Sequence, residues 1–403
     1  MSWLIPRDEL TAEQIRAVEL SPGEHRVILG APGSGKTQIL LHRARFLSDE
    51  CNVKPERFRI FVFTNVLKSY IRTALTDLDL PDDCVTTLDD WCAQIYKQEV
   101  RSSLPWDAEN RCPDYATVRR AVHKRVKDRK LFDFVLVDEG QDLDAEAFSL
   151  LKDLAPHVTV AMDHKQQIYD EGCGEVEIIQ ALGLRRSNLT LLDAFRCCPY
   201  IVRVASEFIE DARDRAAFLN QSRTSQTEIQ TPLLYEADGF EDERARLVEV
   251  LRERQIVDRS IGILFATNRQ VEGFAQGFRE QGIPVETRKN GLDFASQIPK
   301  VLTLHSAKGL TFDSVLMPRL VPGTFARRPE GLTNRLLYVG ITRATKWLYL
   351  STVTGNPIPT LSRIRKLAEL NPPVVTLGSR AAKTPSTPNR INQLQEDELL
   401  DIL

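Results

Sequence analysis

Two short segments of the chain carry residue types suited to a triphosphate. Residues 30–37 read GAPGSGKT, and residues 135–142 read VLVDEGQD. The first segment follows an apolar run and leads into a stretch with apolar residues at helical spacing. A strand, a glycine-rich turn and a helix N-terminus direct backbone N–H groups at phosphates, so we expect Lys36 to reach the β- and γ-phosphates and Thr37 to hold Mg²⁺. The sequence therefore predicts a site that binds a nucleoside triphosphate and hydrolyses it.

The second segment supplies two adjacent carboxylates. Asp138 and Glu139 end a continuous apolar run, so both should emerge at the C-terminal edge of a strand, where parallel sheets bind ligands. Asp138 can hold Mg²⁺, directly or through water, while Glu139 can orient and deprotonate the attacking water. Acidic residues at strand ends also occur as simple surface charges. A phosphate loop in the same sheet favours the catalytic interpretation.

The composition of the chain fits two ordinary domains. Its 403 residues are 42% apolar and 27% charged, and no stretch approaches the roughly 20 apolar residues of a membrane span. Because the net charge is −3, any contact with nucleic acid must come from local patches. The seven cysteines lack paired CxxC spacing, which argues against a zinc or iron–sulfur site. The first residues do not resemble a secretory signal, so we expect a soluble, cytoplasmic protein.

Strand candidates alternate with helical patterns along most of the chain. This alternation predicts an α/β fold with parallel sheets covered on both faces. The strands group into two sets, and the second set is predicted to begin with residues 189–193. We therefore expect a first domain over residues 1–190, with a small helical insertion at about 92–131, and a second domain over residues 191–370. The strand candidates are 25–30, 59–64, 132–139, 158–163, 189–193, 260–267, 300–306, 314–318 and 347–353.

The last part of the chain differs in composition. Residues 371–403 begin with prolines among small and basic residues, which is the composition of a flexible linker. The final stretch, 391–403, combines four acidic residues with leucine and isoleucine. It predicts either a short helix that docks on a protein partner or a solvated tail. The usual disorder of chain termini favours the tail.

Eight segments, in order, resemble the UvrD/Rep-type superfamily 1 helicases, from residue 10 to about residue 350. The DEGQD form and the HSAKGL and YVGITRA blocks favour this branch over the RNA-directed branch of the superfamily. The resemblance implies two RecA-like domains with an ATP cleft between them, and it implies ATP and Mg²⁺ as ligands. The segments are LTAEQIRAV (10–18), GAPGSGKT (30–37), FVFTN (61–65), VLVDEGQD (135–142), MDHKQQIY (162–169), LLDAFRCCP (191–199), LTLHSAKGLTFDSV (302–315) and LLYVGITRA (336–344).

The resemblance also assigns roles around the triphosphate. Gln14 matches the glutamine that reads the adenine edge, and Phe195 matches an aromatic residue that stacks on the base. Gln166 matches the glutamine that senses the γ-phosphate. Arg196 and Arg343 match two arginines that the second domain sends across the cleft, where guanidinium groups stabilise the charge that builds on the γ-phosphoryl oxygens. The phosphate loop itself consists of Gly30, Ala31, Pro32, Gly33, Ser34, Gly35, Lys36 and Thr37.

For single-stranded nucleic acid, the resemblance implies contacts from five residues. A base stacked on an aromatic side chain gains about 1–3 kcal/mol whatever its sequence, which suits a motor that moves along a strand. Each aromatic residue of this set also fits an ordinary core position, and the histidine also fits a satisfied internal one. The five residues are Phe63, Thr64, Asn65, Tyr169 and His305.

A basic stretch precedes the strand that carries the carboxylates. Residues 119–130 read RRAVHKRVKDRK and follow a helical pattern. They predict either a path for nucleic acid, through contacts with phosphates, or a solvated helix face. The sequence favours neither interpretation.

The chain departs from the family pattern in size and at several contact positions. Large accessory subdomains are usual after the FTN segment and before HSAKGL, but here both intervals are short. Asp89 stands where histidine is common, Thr311 replaces a glutamate that usually touches the ribose, and Met162 stands where glycine is usual. These changes affect the expected grip on the strand and the ribose, and they leave the phosphate residues intact.

Two functions follow from this pattern. The first is an ATPase and translocase stimulated by single-stranded DNA, moving 3′ to 5′ as the resembling family does, with unwinding of duplex as a further activity. The second is a regulatory ATPase that senses DNA and gates a partner such as a nuclease in repair or phage defence. The short chain and the acidic tail favour the second, whereas the complete catalytic set favours the first. A binding module with little turnover is a third, weaker interpretation.

Overall fold

The computed structural model describes most of the chain. Four residues with predicted roles, Gln166, Tyr169, Phe195 and Arg196, lie outside the described residues, as does the acidic stretch 391–403. The described ranges are 3–109, 111–127, 129–163, 172–185, 189–192, 198–221, 230–326 and 328–379.

Short runs rich in valine, isoleucine, leucine and phenylalanine form the strands, because branched and aromatic side chains pack well on a pleated sheet. In the described residues the strands are β1 (Arg26–Gly30), β2 (Phe58–Val62), β3 (Val85–Thr87), β4 (Trp106–Asp107), β5 (Cys112–Pro113), β6 (Phe134–Val137), β7 (His157–Met162), β8 (Leu189–Leu192), β9 (Leu233–Ala237), β10 (Ile261–Phe265), β11 (Lys300–Thr303), β12 (Phe312–Met317), β13 (Ala344–Val353) and β14 (Thr376–Ser379).

Several helices begin at a side-chain cap. Thr64, Asp144 and Thr267 each accept a hydrogen bond from a backbone N–H in the first turn, which satisfies a donor that the helix leaves free. The helices are α1 (Ala12–Val18), α2 (Lys36–Glu50), α3 (Asn65–Leu75), α4 (Leu88–Glu99), α5 (Tyr115–Val126), α6 (Ala145–Leu154), α7 (Glu175–Leu182), α8 (Pro199–Ser206), α9 (Ala212–Gln221), α10 (Phe240–Val257), α11 (Asn268–Glu280), α12 (Pro322–Phe325), α13 (Glu330–Ile341) and α14 (Leu361–Lys366).

Two parallel sheets organise the described residues. The first has the strand order β3-β2-β6-β7-β1-β8, and the second has the order β11-β10-β12-β13-β9-β14. Every residue of β6 and β7 is buried, as expected for central strands with helices on both faces. The predicted α/β fold with two RecA-like sheets is confirmed. All strands of one sheet point the same way, so the residues that follow β1, β2, β6 and β7 meet at one edge.

The strand at residues 189–192 belongs to the first sheet. β8 pairs in parallel with β1, with Val27 opposite Leu189 and Gly30 opposite Leu192. The prediction that this strand begins the second set is therefore wrong, and a boundary near residue 190 would fall inside a strand. The strand was assigned to the second set because it is close to the later strands along the chain. The sequence does not show that β1 has a free edge, with which β8 pairs.

The linker predicted from residue 371 is wrong for its first part. β14 pairs in parallel with β9, with Thr376 opposite Leu233 and Ser379 opposite Glu236. Val375 is buried, although prolines precede it. The backbone of β14 uses the hydrogen-bonding groups on the free edge of β9, which secures a segment whose composition alone resembles a linker.

The segment between β3 and β6 contains two helices and a hairpin. Helices α4 and α5 flank the two-stranded antiparallel pair β4–β5. In the described residues, no helix combines the length and the apolar character needed to cross a membrane.

Apolar packing is continuous between the two sheets. One cluster of buried residues contains Leu67 and Leu75 from α3 together with Leu304 and Leu310, which follow β11. A hydrogen bond of 3.2 Å also joins the hydroxyls of Tyr70, on α3, and Thr311. The turn after β11 is therefore packed directly against the first sheet's helix α3.

Candidate functional site

The phosphate loop adopts a turn that requires glycine at two positions. Gly33 and Gly35 have φ values of 80° and 86°, in the left-handed region that side chains disfavour. A β-carbon on Gly35 would also lie 2.7 Å from Nε2 of Gln14. Helix α2 begins immediately afterwards at Lys36, so its free N–H groups point into the loop.

Polar groups of the loop are available for phosphate oxygens. The Lys36 ammonium donates to the backbone carbonyls of Gly30 and Ala31, at 2.8 and 3.2 Å. The hydroxyl of Ser34 is buried without a hydrogen-bond partner in the described part of the chain. A buried hydroxyl without a partner is unfavourable, so a ligand with strong acceptor oxygens would satisfy it.

Thr37 and Asp138 meet at the edge of the first sheet. The Thr37 hydroxyl donates to Oδ2 of Asp138 at 2.6 Å, although 101 positions separate the two residues. A hydroxyl and a carboxylate side by side are oxygen ligands of the kind that Mg²⁺ prefers. Burial raises the pKa of Asp138, and the neighbouring Glu139 raises it further. A bound cation would oppose both effects, so this pair fits a magnesium ion.

Glu139 is held in an unusual backbone conformation. Its φ is 56°, in a region sparsely occupied by residues other than glycine. Its Oε2 accepts a hydrogen bond of 2.5 Å from the Gln141 side chain and lies 3.7 Å from the ammonium of Lys308. Burial alone would raise the pKa of Glu139, but Lys308, Lys36 and Arg343 lower it below the usual value. The side chain is therefore ionised at neutral pH, as a general base must be.

Arg343 reaches the same place from the second sheet. It lies between α13 and β13 and is 4% exposed. Its guanidinium donates to the carbonyls of Val339 and Leu310, at 2.9 and 3.2 Å, which fixes its orientation. Together with Lys36 and Glu139 it lines one cavity. A carboxylate and an ammonium from the first half and a guanidinium from the second half therefore line this cavity.

Two adjoining cavities lie between the halves, and the smaller one is lined by the phosphate loop. The one that contains the charged groups has a volume of about 50 Å³, well below the roughly 300 Å³ at which ligand cavities begin. A second cavity of about 810 Å³ lies between the two halves and shares Trp3, Tyr70 and Thr311 with the first. The small cavity beside the phosphate loop therefore adjoins a larger space with an aromatic wall.

Comparisons with known proteins agree with this geometry. The UvrD/REP helicase N-terminal domain matches residues 10–131, and the UvrD-like helicase C-terminal domain matches residues 286–355. Both domains of the UvrD/Rep-type helicases are therefore matched in this chain. Between them the two matched ranges contain the phosphate loop, α3 and the turn after β11.

Two relatives bear helicase names. A protein named probable DNA helicase from Mycoplasma pneumoniae is 23% identical over 86% of this chain and 84% of its own length. A probable DNA helicase II homolog from Mycoplasma capricolum is 22% identical over 52% of this chain, and the match spans 42% of that relative. Among solved structures, the C-terminal domain of a possible DNA helicase from Lactobacillus plantarum is 21% identical, with a TM-score of 0.34, and the match covers 46% of this chain and 98% of that one.

Gln14 lies against the phosphate loop. Its Nε2 donates to the carbonyl of Ser34 at 3.0 Å, and its Oε1 accepts from the backbone N–H of Thr11, also at 3.0 Å. The side chain is therefore bonded at both ends to the protein, and its contact with adenine stays a prediction.

The described residues that were predicted to contact a strand lie at two places. Phe63, Thr64 and Asn65 follow β2 at the edge of the first sheet, and Thr64 caps α3. His305 lies in the turn after β11, where burial, Arg328 and Lys308 lower its pKa. Packing of α3 against this turn brings the two places to one interface, while their contacts with nucleic acid stay predictions.

Several residues of the basic stretch are engaged with carboxylates. Arg119 donates to Asp89 at 2.8 Å and to Asp144 at 2.6 Å, and Arg129 is paired with Glu99. These pairs support a structural role for Arg119 on α5 and for Arg129 just after it. They also explain the acidic residue at position 89, since it is a partner of Arg119.

Lys308 is a site residue that the sequence did not single out. It is 1% exposed, and its ammonium lies 2.5 Å from Oδ2 of Asp142. The HSAKGL block indicated that this segment matters, but 166 positions separate Lys308 from Asp142. No spacing in the sequence reveals a pair that forms only when the two halves are packed together.

Proposed function

We propose that this helicase hydrolyses ATP to move along single-stranded nucleic acid, with DNA as the preferred strand and 3′ to 5′ as the direction. One observation carries the proposal. Arg343 of the second half shares a cavity with Lys36 and Glu139 of the first. Cationic groups from opposite halves make hydrolysis dependent on how the halves are packed, which is the coupling that a motor needs. A cytoplasmic location stays part of the proposal.

Each residue of the cavity has a distinct task in hydrolysis. Thr37 and Asp138 would hold Mg²⁺, which supplies charge neutralisation at the phosphates when it is bound. Glu139 accepts a proton from the attacking water, which its ionised state and buried position permit. Lys36 and Arg343 stabilise the charge that develops on the transferred phosphoryl oxygens.

The cavity volume supports a cycle of opening and closing. A space of about 50 Å³ does not admit a triphosphate, so nucleotide entry requires the two halves to separate or their side chains to move aside. Closure around the nucleotide then returns Arg343 to the phosphates. Because the turn after β11 contacts α3, the same motion alters the interface that contains the proposed strand contacts.

The direct test is the ATPase rate with and without nucleic acid. We expect stimulation by single-stranded DNA that exceeds stimulation by RNA or duplex DNA. The stimulation should weaken as salt rises, because phosphate contacts release counterions. Equal rates with and without any strand would reject a nucleic-acid motor.

The Lys36→Ala variant ties this activity to the site. Turnover should vanish because the phosphate contact is lost, while strand binding measured by fluorescence anisotropy should persist. Lys152→Ala, at the end of α6, serves as a control for loss of one positive charge in the same half. Full turnover in Lys36→Ala would mean that hydrolysis occurs elsewhere.

A regulatory ATPase remains a second candidate, and one observation favours it. Between β10 and β11 the chain has room only for α11 and the connecting residues 281–299, where larger accessory subdomains would help to separate strands. In this version the stimulated ATPase gates a protein partner, with the acidic stretch 391–403 as the proposed contact. Strand displacement on a 3′-tailed duplex separates the candidates: a motor releases the strand, and a sensor hydrolyses ATP without releasing it.

A further inference from the structure

Lys308 connects the second half of the molecule to the catalytic carboxylates. It follows β11, whereas Glu139 and Asp142 follow β6 in the first sheet. Its ammonium lies 2.5 Å from Oδ2 of Asp142 and 3.7 Å from Oε2 of Glu139. The side chains of all three residues are at most 5% exposed. A buried cation therefore lies between two buried anions from the opposite half.

This arrangement is stable only when the two halves are closed. A buried ammonium or carboxylate is strongly unfavourable without a partner of opposite charge. If the halves separate, water reaches both sides of the Lys308–Asp142 pair, and the ammonium leaves Glu139. The charge next to Glu139 therefore depends on closure, as the position of Arg343 does.

Hydrogen bonds connect the Lys308–Glu139 contact to residues beyond the carboxylates. Oε2 of Glu139 accepts from Gln141, and the other end of the Gln141 amide accepts from the backbone N–H of Asp163 at 3.0 Å. On the other side, the backbone N–H of Lys308 donates to the carbonyl of His305 at 3.3 Å. The turn that carries Lys308 thus touches both the catalytic carboxylates and a proposed strand contact.

We propose that Lys308 is a positioning residue for hydrolysis. In the closed state it holds Glu139 in its left-handed backbone conformation and directs the carboxylate at the attacking water. In the open state it releases Glu139, so hydrolysis stops until the halves close again. Lys308 acts through Glu139 and does not touch the phosphates, which distinguishes its task from that of Arg343. This inference rests on the proposed ATPase function.

The alternative is that Lys308 only fastens the two halves together. The two roles differ in what a neutral pair would do. If the Lys308–Asp142 pair only stabilises the contact between the two halves, an uncharged pair of similar size restores the closed state, and turnover returns. If Lys308 positions Glu139, an uncharged pair leaves the base without its directing charge and turnover stays low.

The test compares steady-state ATPase rates of variants in the full chain with saturating single-stranded DNA. For Lys308→Met we expect kcat to fall about 100-fold, the effect of misplacing a catalytic group, with an unchanged KM for ATP. Lys308→Arg should recover part of the loss, because it keeps the charge. The matched control is Lys346→Met, which removes a more exposed lysine paired with Asp313 in the same half, and its rate should equal that of the wild type.

The double variant Asp142→Asn/Lys308→Met decides between the two roles. It removes both charges together, so it folds even if the single variant leaves Asp142 buried without its cation and fails to fold. Persistently low kcat with normal thermal unfolding supports positioning, whereas recovered turnover overturns it. Wild-type protein without any ATPase would instead refute the proposed function, so the two failures are distinguishable.

Discussion

At the scale of single residues, the site balances charges that come from distant positions. Asp138, Glu139 and Asp142 follow one strand, whereas Lys308 and Arg343 come from the other half of the molecule. Burial makes each charge depend on its neighbours, so the removal of one side chain changes the state of the others. The pKa of Glu139 shows this, because three cations offset the effect of burial.

Replacement of Arg343 tests the positive charge that is proposed to face the phosphates. Arg343→Ala should lower kcat by about 1000-fold or more, because an arginine that stabilises the transferred phosphoryl group contributes that much. Nucleotide affinity should change little, since Lys36 and the loop remain. Single-turnover hydrolysis and equilibrium binding of a fluorescent ADP analogue measure the two quantities.

Arg343→Lys is the informative companion variant. Lysine keeps the charge but not the planar set of donors that binds the Val339 and Leu310 carbonyls. We expect intermediate turnover. Wild-type turnover in Arg343→Ala would show that the guanidinium plays no part in hydrolysis and would remove the main support for the proposed function.

At the scale of elements, the sequence predicted those structures that neighbouring residues of the chain determine. The strand β1, the glycine turn and the helix α2 follow one another along the chain, so their motif specified the loop. β8 and β14 were misassigned because each is four residues long and adds to a free edge that only the assembled sheet provides. The contact between Lys308 and Asp142 was missed for the same reason, since it depends on tertiary packing.

Gly35 tests the local geometry of the loop. Gly35→Ala should destabilise the loop by about 1–2 kcal/mol, because alanine disfavours the left-handed conformation, and it should displace the Gln14 amide. We expect weaker nucleotide binding by isothermal titration calorimetry. Gly277→Ala in α11 is the control, because its β-carbon would enter open space and should stabilise the helix by up to about 1 kcal/mol. Equal nucleotide affinity in the two variants would contradict the need for glycine at position 35 of the loop.

The contact between α2 and β7 predicts a dependence of stability on pH. Burial, followed by the charge of Arg43, lowers the pKa of His157 from 6.5 to about 3. Arg43 donates to Nε2 of His157 at 3.0 Å, so folding favours the neutral ring. The unfolded chain binds a proton between pH 6.5 and 3 and the folded protein does not. Stability is therefore complete above about pH 6.5 and falls as the pH decreases toward 3.

The size of this effect is measurable. Between pH 7 and pH 5 the His157 contribution alone should remove about 2 kcal/mol of unfolding free energy. Urea unfolding at several pH values measures the slope. His157→Asn lacks the titrating group, so its stability should depend less on pH over this range, whatever its absolute value. An unchanged slope in that variant would assign the effect to other groups.

At the scale of the whole molecule, the two sheets are joined by apolar packing as well as by charges. One buried cluster spans both halves, and the small cavity lies where they meet. The sequence predicted two halves with a nucleotide cleft between them, because a phosphate loop and a second set of strands are both visible in it. It did not predict how closed the cleft is, since cavity volume depends on side chains from both halves.

Trp3 offers a natural probe of this cleft. Its ring stacks on Tyr70 with centroids 4.2 Å apart, and it lines both cavities. A cavity of about 50 Å³ must widen to admit a triphosphate, so the surroundings of Trp3 must change when nucleotide binds. Titration with a non-hydrolysable ATP analogue and Mg²⁺ should therefore change the tryptophan emission saturably.

Trp3→Phe, which keeps an aromatic ring, should lose this change while it retains stimulated hydrolysis. The other three tryptophans, at 91, 106 and 347, lie outside both cavities, so a full signal in Trp3→Phe would mean that nucleotide binds without widening the cleft beside the phosphate loop.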